Sequence, residues 1–382
     1  MRILQCVGDI NPALGGSVEA ARQLSVALNS LGHSVDLVTL SALRDGWQDE
    51  WRGAVHCLGP ASTSYLYSSR LPRWMAAHAS SYDAVVIHGL WRYTSVGAWQ
   101  GLRGRNVPFF IFPHGMLDPY FNRAYRWKHL KKYICWLTAE HRVLSDAQAV
   151  LFTCDEERLR ARHSFQPYHC RERVVGLGIC RPFGDPALER ARFLDQFPAL
   201  AGKRIVLFLG RVHPKKGCDL LMRAFAHRGG CDPRLHLVMA GPDECGWQAD
   251  LRQLAGRLGI EKRITWTGPL YGDLKWGALR AAEVFALPSH TENFGITIAE
   301  ALACGVPVLI SDQVNIWREI QAAGAGLVAP DNLEGCLRIL DQWLSSPELS
   351  RVQMKVRAIE CFTQHFEIEQ FAKRFVECIQ AA

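Results

Sequence analysis

The sequence predicts an α/β protein built from two doubly wound domains facing each other across a cleft. Three observations carry this expectation. Short runs rich in Val, Ile, Leu and Phe alternate with helical patterns along nearly the whole chain, as in parallel sheets covered by helices on both faces. The chain has 382 residues, enough for two or three domains. Pro182, Gly184, Pro186 and Pro198 interrupt the alternation near the middle, which puts the boundary between Ile179 and Lys203. The domains are therefore expected at 1–182 and 183–364. A last helix, about 365–382, has an apolar stripe at Ile368, Phe371, Phe375 and Val376. It either completes the second domain or packs back on the first.

In the first domain the apolar runs place strands at 3–8, 35–39, 84–88, 107–112, 149–153 and 174–177. In the second they fall at 205–210, 235–240, 264–267, 284–287, 306–311 and 326–329. No short-period repeat or low-complexity tract is present.

Composition narrows the class. Hydrophobic residues make up 48%, which supports a large core, and the formal net charge of +7 is too modest for this length to argue for nucleic acid. The 13 cysteines are scattered with no Cys-x-x-Cys pair, as expected of buried free thiols in a reducing cytosol. No apolar stretch reaches the ~18 residues of a membrane span, and Met1 to Val7 runs straight into a strand instead of a signal peptide. The expectation is a cytoplasmic protein, soluble or peripheral on the inner face of the membrane. The segment Arg123 to Trp136 mixes basic and aromatic residues. It reads either as a solvated helix face or as a contact with an anionic membrane surface.

The segment from Pro288 to Val308 says most about function. Ile296, Ala299, Leu302 and Ala303 recur at helical spacing until Gly305. Glu292 then lies on the loop before the helix, and Glu300 about two turns in, roughly 12 Å away at ~1.5 Å per residue. That exceeds the ~5 to 5.5 Å of a retaining glycosidase's carboxylate pair. It suits two hydroxyl-rich parts of one elongated ligand, with helix-start amides free to face an anion between them. After strand 205–210 comes Arg211-Val212-His213-Pro214-Lys215-Lys216-Gly217. Cations at the C-terminal end of a parallel strand are well placed for a diphosphate.

In the first domain Gly15 and Gly16 precede a helix at 18–31, where they either allow close approach of a phosphate or make a tight turn. They match neither the Gly-x-Gly-x-x-Gly nor the Walker pattern. His114 follows strand 107–112 and reads as a general base, a hydrogen-bond donor or a cap. His88, followed by Trp91 and Arg92, occupies a similar strand end and is either structural or acceptor-binding. The chain has no Asp-x-Asp, and its histidines form no carboxylate clusters with metal-ligand spacing. No metal or cofactor is expected, and Arg211 and Lys216 are left to neutralise the diphosphate.

Together these residues resemble the family 4 retaining glycosyltransferases, group 1 enzymes of the GT-B fold with two Rossmann-like domains. The resemblance rests on Gly210-Arg211 with Lys216-Gly217, on Pro288-Ser289 through Glu292-x-Phe294-Gly295 to Glu300-Ala301, on Gly305-Val306-Pro307-Val308, and on Gly15-Gly16 and His114-Gly115. It covers essentially the whole chain, and the first domain resembles members that build bacterial surface or envelope polysaccharides. The resemblance implies a nucleotide-sugar donor, UDP-glucose or another UDP-hexose first, and a saccharide or lipid-linked acceptor. Arg211 and Lys216 would hold the diphosphate with amides near Gly15, Gly16, Gly295 and Ile296. Glu300 would bind the ribose, and Glu292, Asn293 and Phe294 the transferred sugar. His114 would face that sugar, with Arg211, Lys216 and Glu292 completing the catalytic set. The base would lie near Gly268, Pro269 and Leu270, and the acceptor near His88, Trp91 and Arg92. One departure is Gly176-Leu177-Gly178, where many members have Pro-Asn-Gly. Two rival readings use the same framework: a non-hydrolysing UDP-sugar epimerase, and a non-catalytic nucleotide-sugar-binding subunit.

Overall fold

The computed structural model of the chain describes residues 1–11, 16–42, 46–61, 63–120, 126–228 and 232–381, with the backbone alone at 50 and 126–129. The apolar runs become strands because each can bury both faces. In the first sheet these are β1 (Arg2–Val7), β2 (Ser34–Thr39), β3 (Val55–Cys57), β4 (Ala84–His88), β5 (Phe109–Phe112), β6 (Ala149–Phe152) and β7 (Glu172–Val174). They pair in parallel in the order β3-β2-β1-β4-β5-β6-β7. The second sheet contains β8 (Arg204–Leu209), β9 (Leu235–Ala240), β10 (Ile264–Gly268), β11 (Ala282–Leu287), β12 (Val308–Ser311) and β13 (Gly326–Ala329), also parallel, in the order β10-β9-β8-β11-β12-β13. Ile3, Leu4, Val85, Val86, Ile87, Leu207, Phe208 and Val284 are all fully buried, as strands covered on both faces require. Each sheet is doubly wound.

The chain divides into two units. One comprises Met1–Cys180 with Ile368–Ala382, the other Arg181–Glu367. The terminal helix Ile368–Gln380 thus belongs with the first sheet, and its stripe shows why. Phe371 and Phe375 are fully buried and lie 6.2 and 6.1 Å from the Phe112 ring. Arg374 Nε donates to the Val175 carbonyl at 3.0 Å, and the Ile368 amide to that of Ile179 at 3.1 Å. This packing constrains both glycines of Gly176-Leu177-Gly178, of which only Gly176, with Leu177, departs from Pro-Asn-Gly. A Cβ at Gly178 would lie 2.6 Å from the Ile368 backbone, and one at Gly176, where φ is +86°, 2.7 Å from the Arg374 guanidinium.

Strand ends shift by a residue or two in several places, and the two larger differences from the expected strands are at sheet edges. β3 has only three residues, none of them fully buried, so it leaves no apolar run to recognise. β7 pairs as Glu172, Arg173 and Val174 against β6, a few residues before the expected 174–177. Val175 and Leu177 are buried, yet they lie beyond the ladder, where the Val175 carbonyl accepts from Arg374 of the terminal helix.

Strand order reverses between β1 and β4 in the first sheet and between β8 and β11 in the second. Open parallel sheets bind ligands beyond the C-terminal ends of strands at such points. The loops concerned lead out of β1 and β4 in one unit, and out of β8 (210–217) and β11 (288–295) in the other.

Candidate functional site

In the second unit, the loops leaving β8 and β11 are stitched together. The His290 amide donates to the Lys215 carbonyl at 2.8 Å, and Ser289 Oγ donates to the same oxygen at 3.0 Å. The closeness depends on Gly217, whose φ is +66° and whose Cβ, if present, would sit 2.1 Å from the Pro288 carbonyl oxygen. Held in this way, the Lys216 ammonium forms a short ion pair with Glu292, and both side chains are largely buried. Glu292 is anchored through its backbone as well. Its amide donates to Gln313 at 3.0 Å and its carbonyl accepts from the Asn315 amide at 2.9 Å. Burial pushes the Glu292 carboxyl upward, but Lys216, Lys215 and Arg211 outweigh it and hold the pKa below the usual carboxylate value. Glu292 is an anion at neutral pH.

Gly295, with φ of +75°, caps the helix Ile296–Ala303, and no side chain caps that end. Gly295 itself therefore brings no side-chain acceptor to compete for the amides at Ile296 and Thr297. Glu300 sits four residues into this helix, about one turn or ~6 Å, not the two turns expected, because the helix begins at Ile296 and not near Glu292. It is buried and accepts a 2.6 Å hydrogen bond from Lys275 Nζ. Lys275 comes from the helix Gly272–Ala281, its ammonium 4.3 Å from the Trp276 ring centroid. Asn293 Oδ1 accepts from Asn315 Nδ2 at 3.2 Å. Phe294, expected against the donor sugar, buries its ring edge-on against Phe366 at 5.5 Å, which leaves its main chain for that role. Arg211 Nη1 holds both Glu244 oxygens at 2.9–3.0 Å in an exposed pair. Gly268 ends β10, and its carbonyl accepts from the Gly241 amide at 2.9 Å and from Thr267 Oγ1 at 2.8 Å. Pro269 and the buried Leu270 follow it.

In the first unit, β4 and β5 place His88 opposite Phe112. His114 adopts φ of +49° and Gly115 +75°, a left-handed step that folds the His114 ring back over the strand ends. The Gly115 amide, turned inward by that step, donates to Glu157 Oε1 at 2.6 Å. Glu157 is buried and also accepts from the Thr153 amide and hydroxyl. His88 Nδ1 and His114 Nε2 are 2.9 Å apart, with near-parallel rings whose centroids are 5.2 Å apart. The Phe112 ring stacks against both. Burial pushes His88 well below the usual imidazole value and His114 down to about 4, so both are neutral at neutral pH. Trp91 has φ of +66°; its amide donates to Glu140 Oε1 at 2.9 Å and its indole Nε1 to the Met116 carbonyl at 3.1 Å. Lys132 Nζ lies 5.0 Å above its ring. Arg92 is exposed at the start of the helix Tyr93–Leu102. Gly16 opens the helix Gly16–Ser30, and Gly15 lies outside the described residues.

Glu140 carries no sequence signal. It sits in a π-helical turn, Trp136–Glu140, where Ser95 Oγ also donates to it, and burial pushes its carboxyl up to about 7. Trp136, part of the basic aromatic segment, is core, with Phe165 and Tyr168 stacked on it. Leu130 and Ile134 of the same segment, and Leu137 just after it, are exposed. Arg123 and Tyr125, with the side chains of Arg126, Trp127, Lys128 and His129, lie outside the described residues. Among the described residues no group of three or more His, Cys, Asp or Glu is placed to hold a metal. No described helix is long and apolar enough to cross a membrane, and the described cysteines are free thiols.

Residues 190–360 match the family described as Glycosyl transferases group 1, and residues 15–178 match the Glycosyl transferase 4-like domain. A D-inositol 3-phosphate glycosyltransferase from Mycolicibacterium gilvum is 43% identical over 129 residues, 33% of this chain and 27% of that protein. The counterpart from Nocardia farcinica is 32% identical over 201 residues, 50% of this chain and 43% of its own length. The chain thus spans less than half of these relatives. Anabaena HepE, solved in complex with UDP and glucose, superposes with a TM-score of 0.78 at 17% identity, covering 100% of both chains. At that identity the likeness shows the fold alone, two Rossmann-like domains of the GT-B type.

Proposed function

We propose that this chain, which belongs to the group 1 glycosyl transferases, is a retaining hexosyltransferase that moves a hexose from a UDP-sugar, UDP-glucose first, to a saccharide or lipid-linked saccharide in polysaccharide biosynthesis. One observation carries the reading. At the strand-order reversal between β8 and β11, two carboxylates, each on its own lysine, flank a helix start that no side chain caps. Such an array suits a ligand with an anionic middle and hydroxyl-rich parts on either side, which describes a nucleoside diphosphate sugar. The complexes of HepE with UDP and with UDP-glucose support the choice of base and sugar.

The chemistry follows from charge. As the bond from the sugar's anomeric carbon to the diphosphate breaks, negative charge grows on the β-phosphate. Lys216, Arg211 and the amides at Gly295 and Ile296 stabilise that charge more in the transition state than before it. Glu300 accepts from the ribose hydroxyls and Glu292 from those of the hexose. No carboxylate is assigned as a nucleophile, so retention would come from attack on the leaving-group face, with the departing phosphate taking the acceptor's proton. In the first unit His114 donates to the sugar, and Trp91 and Arg92 form the acceptor end. The exposed Leu130, Ile134 and Leu137 beside Lys131 support a peripheral membrane contact for a lipid-linked acceptor. Neutralisation by side chains alone makes turnover independent of divalent metal, and activity that disappears in EDTA and returns with Mg²⁺ would contradict this.

Calorimetry with UDP separates the two carboxylates. Glu300→Ala should weaken UDP binding. Glu292→Ala releases Lys216 and should leave UDP affinity unchanged or tighter, while UDP-glucose turnover falls. Equal loss of UDP affinity in both variants would overturn the assignment.

A further inference from the structure

The two near-coplanar histidine rings of the first unit share one edge-to-edge hydrogen bond, and counting its proton assigns the tautomer of each ring. With both imidazoles neutral, each ring carries a single N–H. His88 Nδ1 and His114 Nε2, 2.9 Å apart, hold one proton between them. The outer nitrogens settle which ring supplies it. His88 Nε2 is buried and has no hydrogen-bond partner among the described residues. If His114 were the donor, His88 would accept at Nδ1 and carry its own proton on Nε2, a buried N–H with nothing to bond. If His88 donates from Nδ1, its Nε2 is a bare lone pair. Orphaned buried donors are rarer in proteins than under-satisfied acceptors. His114 then accepts at Nε2, and its single proton must be on Nδ1; the residue itself is only partly buried.

We infer that His88 is a positioning residue whose Nδ1–H donates to His114 Nε2, fixing His114 as the Nδ1–H tautomer so that it offers a hydrogen-bond donor to a sugar oxygen. This deepens the proposed function and rests on the assignment of His114 to the sugar. It decides between the roles a histidine could play there: a neutral ring whose outer nitrogen already holds a proton cannot accept one at that atom, so His114 is a donor and not a general base. Phe112, stacked on both rings, keeps them coplanar and excludes water from the shared bond. The arrangement parallels metal-ligand histidines, where a second-shell partner sets which ring nitrogen is protonated.

Two measurements on the full chain test it. The first labels histidine with ¹⁵N and records long-range ¹H–¹⁵N correlations at pH 7.5, with the His114 signals identified by their loss in His114→Gln. A protonated Nδ1 and a bare Nε2 on His114 are expected, the less common form of free imidazole and therefore a distinctive signature. The reverse pattern would overturn the inference. The second compares His88→Leu, which removes the donor, with His88→Asn, whose amide reaches the Nδ1 position. His88→Leu should lower kcat for UDP-glucose turnover tenfold or more while KM for UDP-glucose and Kd for UDP stay within twofold, and His88→Asn should recover most of kcat. Equal activity of the two variants would sink the positioning role. If the protein turns over no UDP-sugar, the functional reading fails, and the ¹⁵N spectrum still judges the tautomer.

Discussion

At the strand-order reversal of the second sheet, charge meets charge: Lys216 on Glu292, Lys275 on Glu300, Arg211 on Glu244. At the ends of β4 and β5 in the first unit, burial instead keeps two imidazoles neutral and shifts a carboxyl toward its protonated form. His88 and His114 stack on Phe112 with burial holding their pKa values low, and Glu140 is pushed up to about 7. The contrast shows two ways to prepare a site for a polar ligand. Paired charges keep each other ionised in a partly buried place, and a diphosphate can take over the lysine while hydroxyls take over the carboxylate. Neutral rings accept the cost of burial once, then contribute directional hydrogen bonds that salt hardly screens.

The sharpest way to break the comparison is at Lys216. Removing one partner of a buried ion pair leaves an uncompensated charge and typically costs ~3–5 kcal/mol. Lys216→Ala should lose stability on that scale in denaturant unfolding. Its kcat/KM should also drop roughly a hundredfold or more, since one donor to a developing oxyanion is worth ~3 kcal/mol. The double variant Lys216→Met with Glu292→Gln removes both charges and should regain stability without regaining activity. A double variant as unstable as the single one would mean that packing, not charge pairing, sets the cost.

Central strands were legible because residues such as Val85, Val86, Ile87, Phe208 and Val284 are apolar without interruption. The edges were not. Val55-His56-Cys57 is too short to stand out, and Glu172-Arg173-Val174 has the polar side chains that exposed edges tolerate. The same division holds for the sites. Arg211 with Lys216, and Glu292 with Glu300, each stand in one short stretch at a strand end or helix start, so each stretch could be singled out in the sequence although the two are 76 residues apart. Lys275 meets Glu300 across 25 residues of sequence and Glu140 meets Trp91 across 49, with no periodic pattern linking either pair. That the ring of Phe294 is core could not be read for a related reason. Its partner Phe366 lies in a helical segment far along the chain, and only the fold shows that the ring is core.

The neutral region can be sharpened by pH. The folded-state pKa of Glu140 is raised from 4.5 to about 7, so between these values the folded chain binds more protons than the unfolded one. Stability should therefore fall as pH rises through that window and level off above it. At ~1.4 kcal/mol per pH unit the whole effect is about 3 kcal/mol. The histidines act in the opposite sense. Their folded values lie below 6.5, so they withdraw stability as pH falls from 6.5 toward about 4. Glu140→Gln keeps an acceptor for the Trp91 amide and Ser95 Oγ but cannot ionise. Its stability relative to the parent should rise between pH 5 and pH 8, measured by urea unfolding. A difference that does not change with pH would mean that Glu140 is not held protonated.

The smallest expected effect tests whether the charged region is built to hand its cations over. Arg211 and Glu244 are both well exposed, with side-chain accessibilities of 56% and 40%. A surface pair of this kind is worth at most ~1 kcal/mol and is screened by salt. Glu244→Gln should therefore leave the unfolding midpoint almost unchanged. Its effect belongs to the ligand instead. While Glu244 holds the guanidinium, a diphosphate must displace it, and the carboxylate adds a nearby negative charge that opposes the incoming anion. Removing that charge should tighten UDP binding by up to about fivefold at low ionic strength, with the gain shrinking as salt is raised. Calorimetry at two salt concentrations measures both parts. An affinity that stays the same or weakens would mean that Glu244 orients Arg211 for the phosphate and does not compete for it. The charged region would then be as rigidly preorganised as the neutral one.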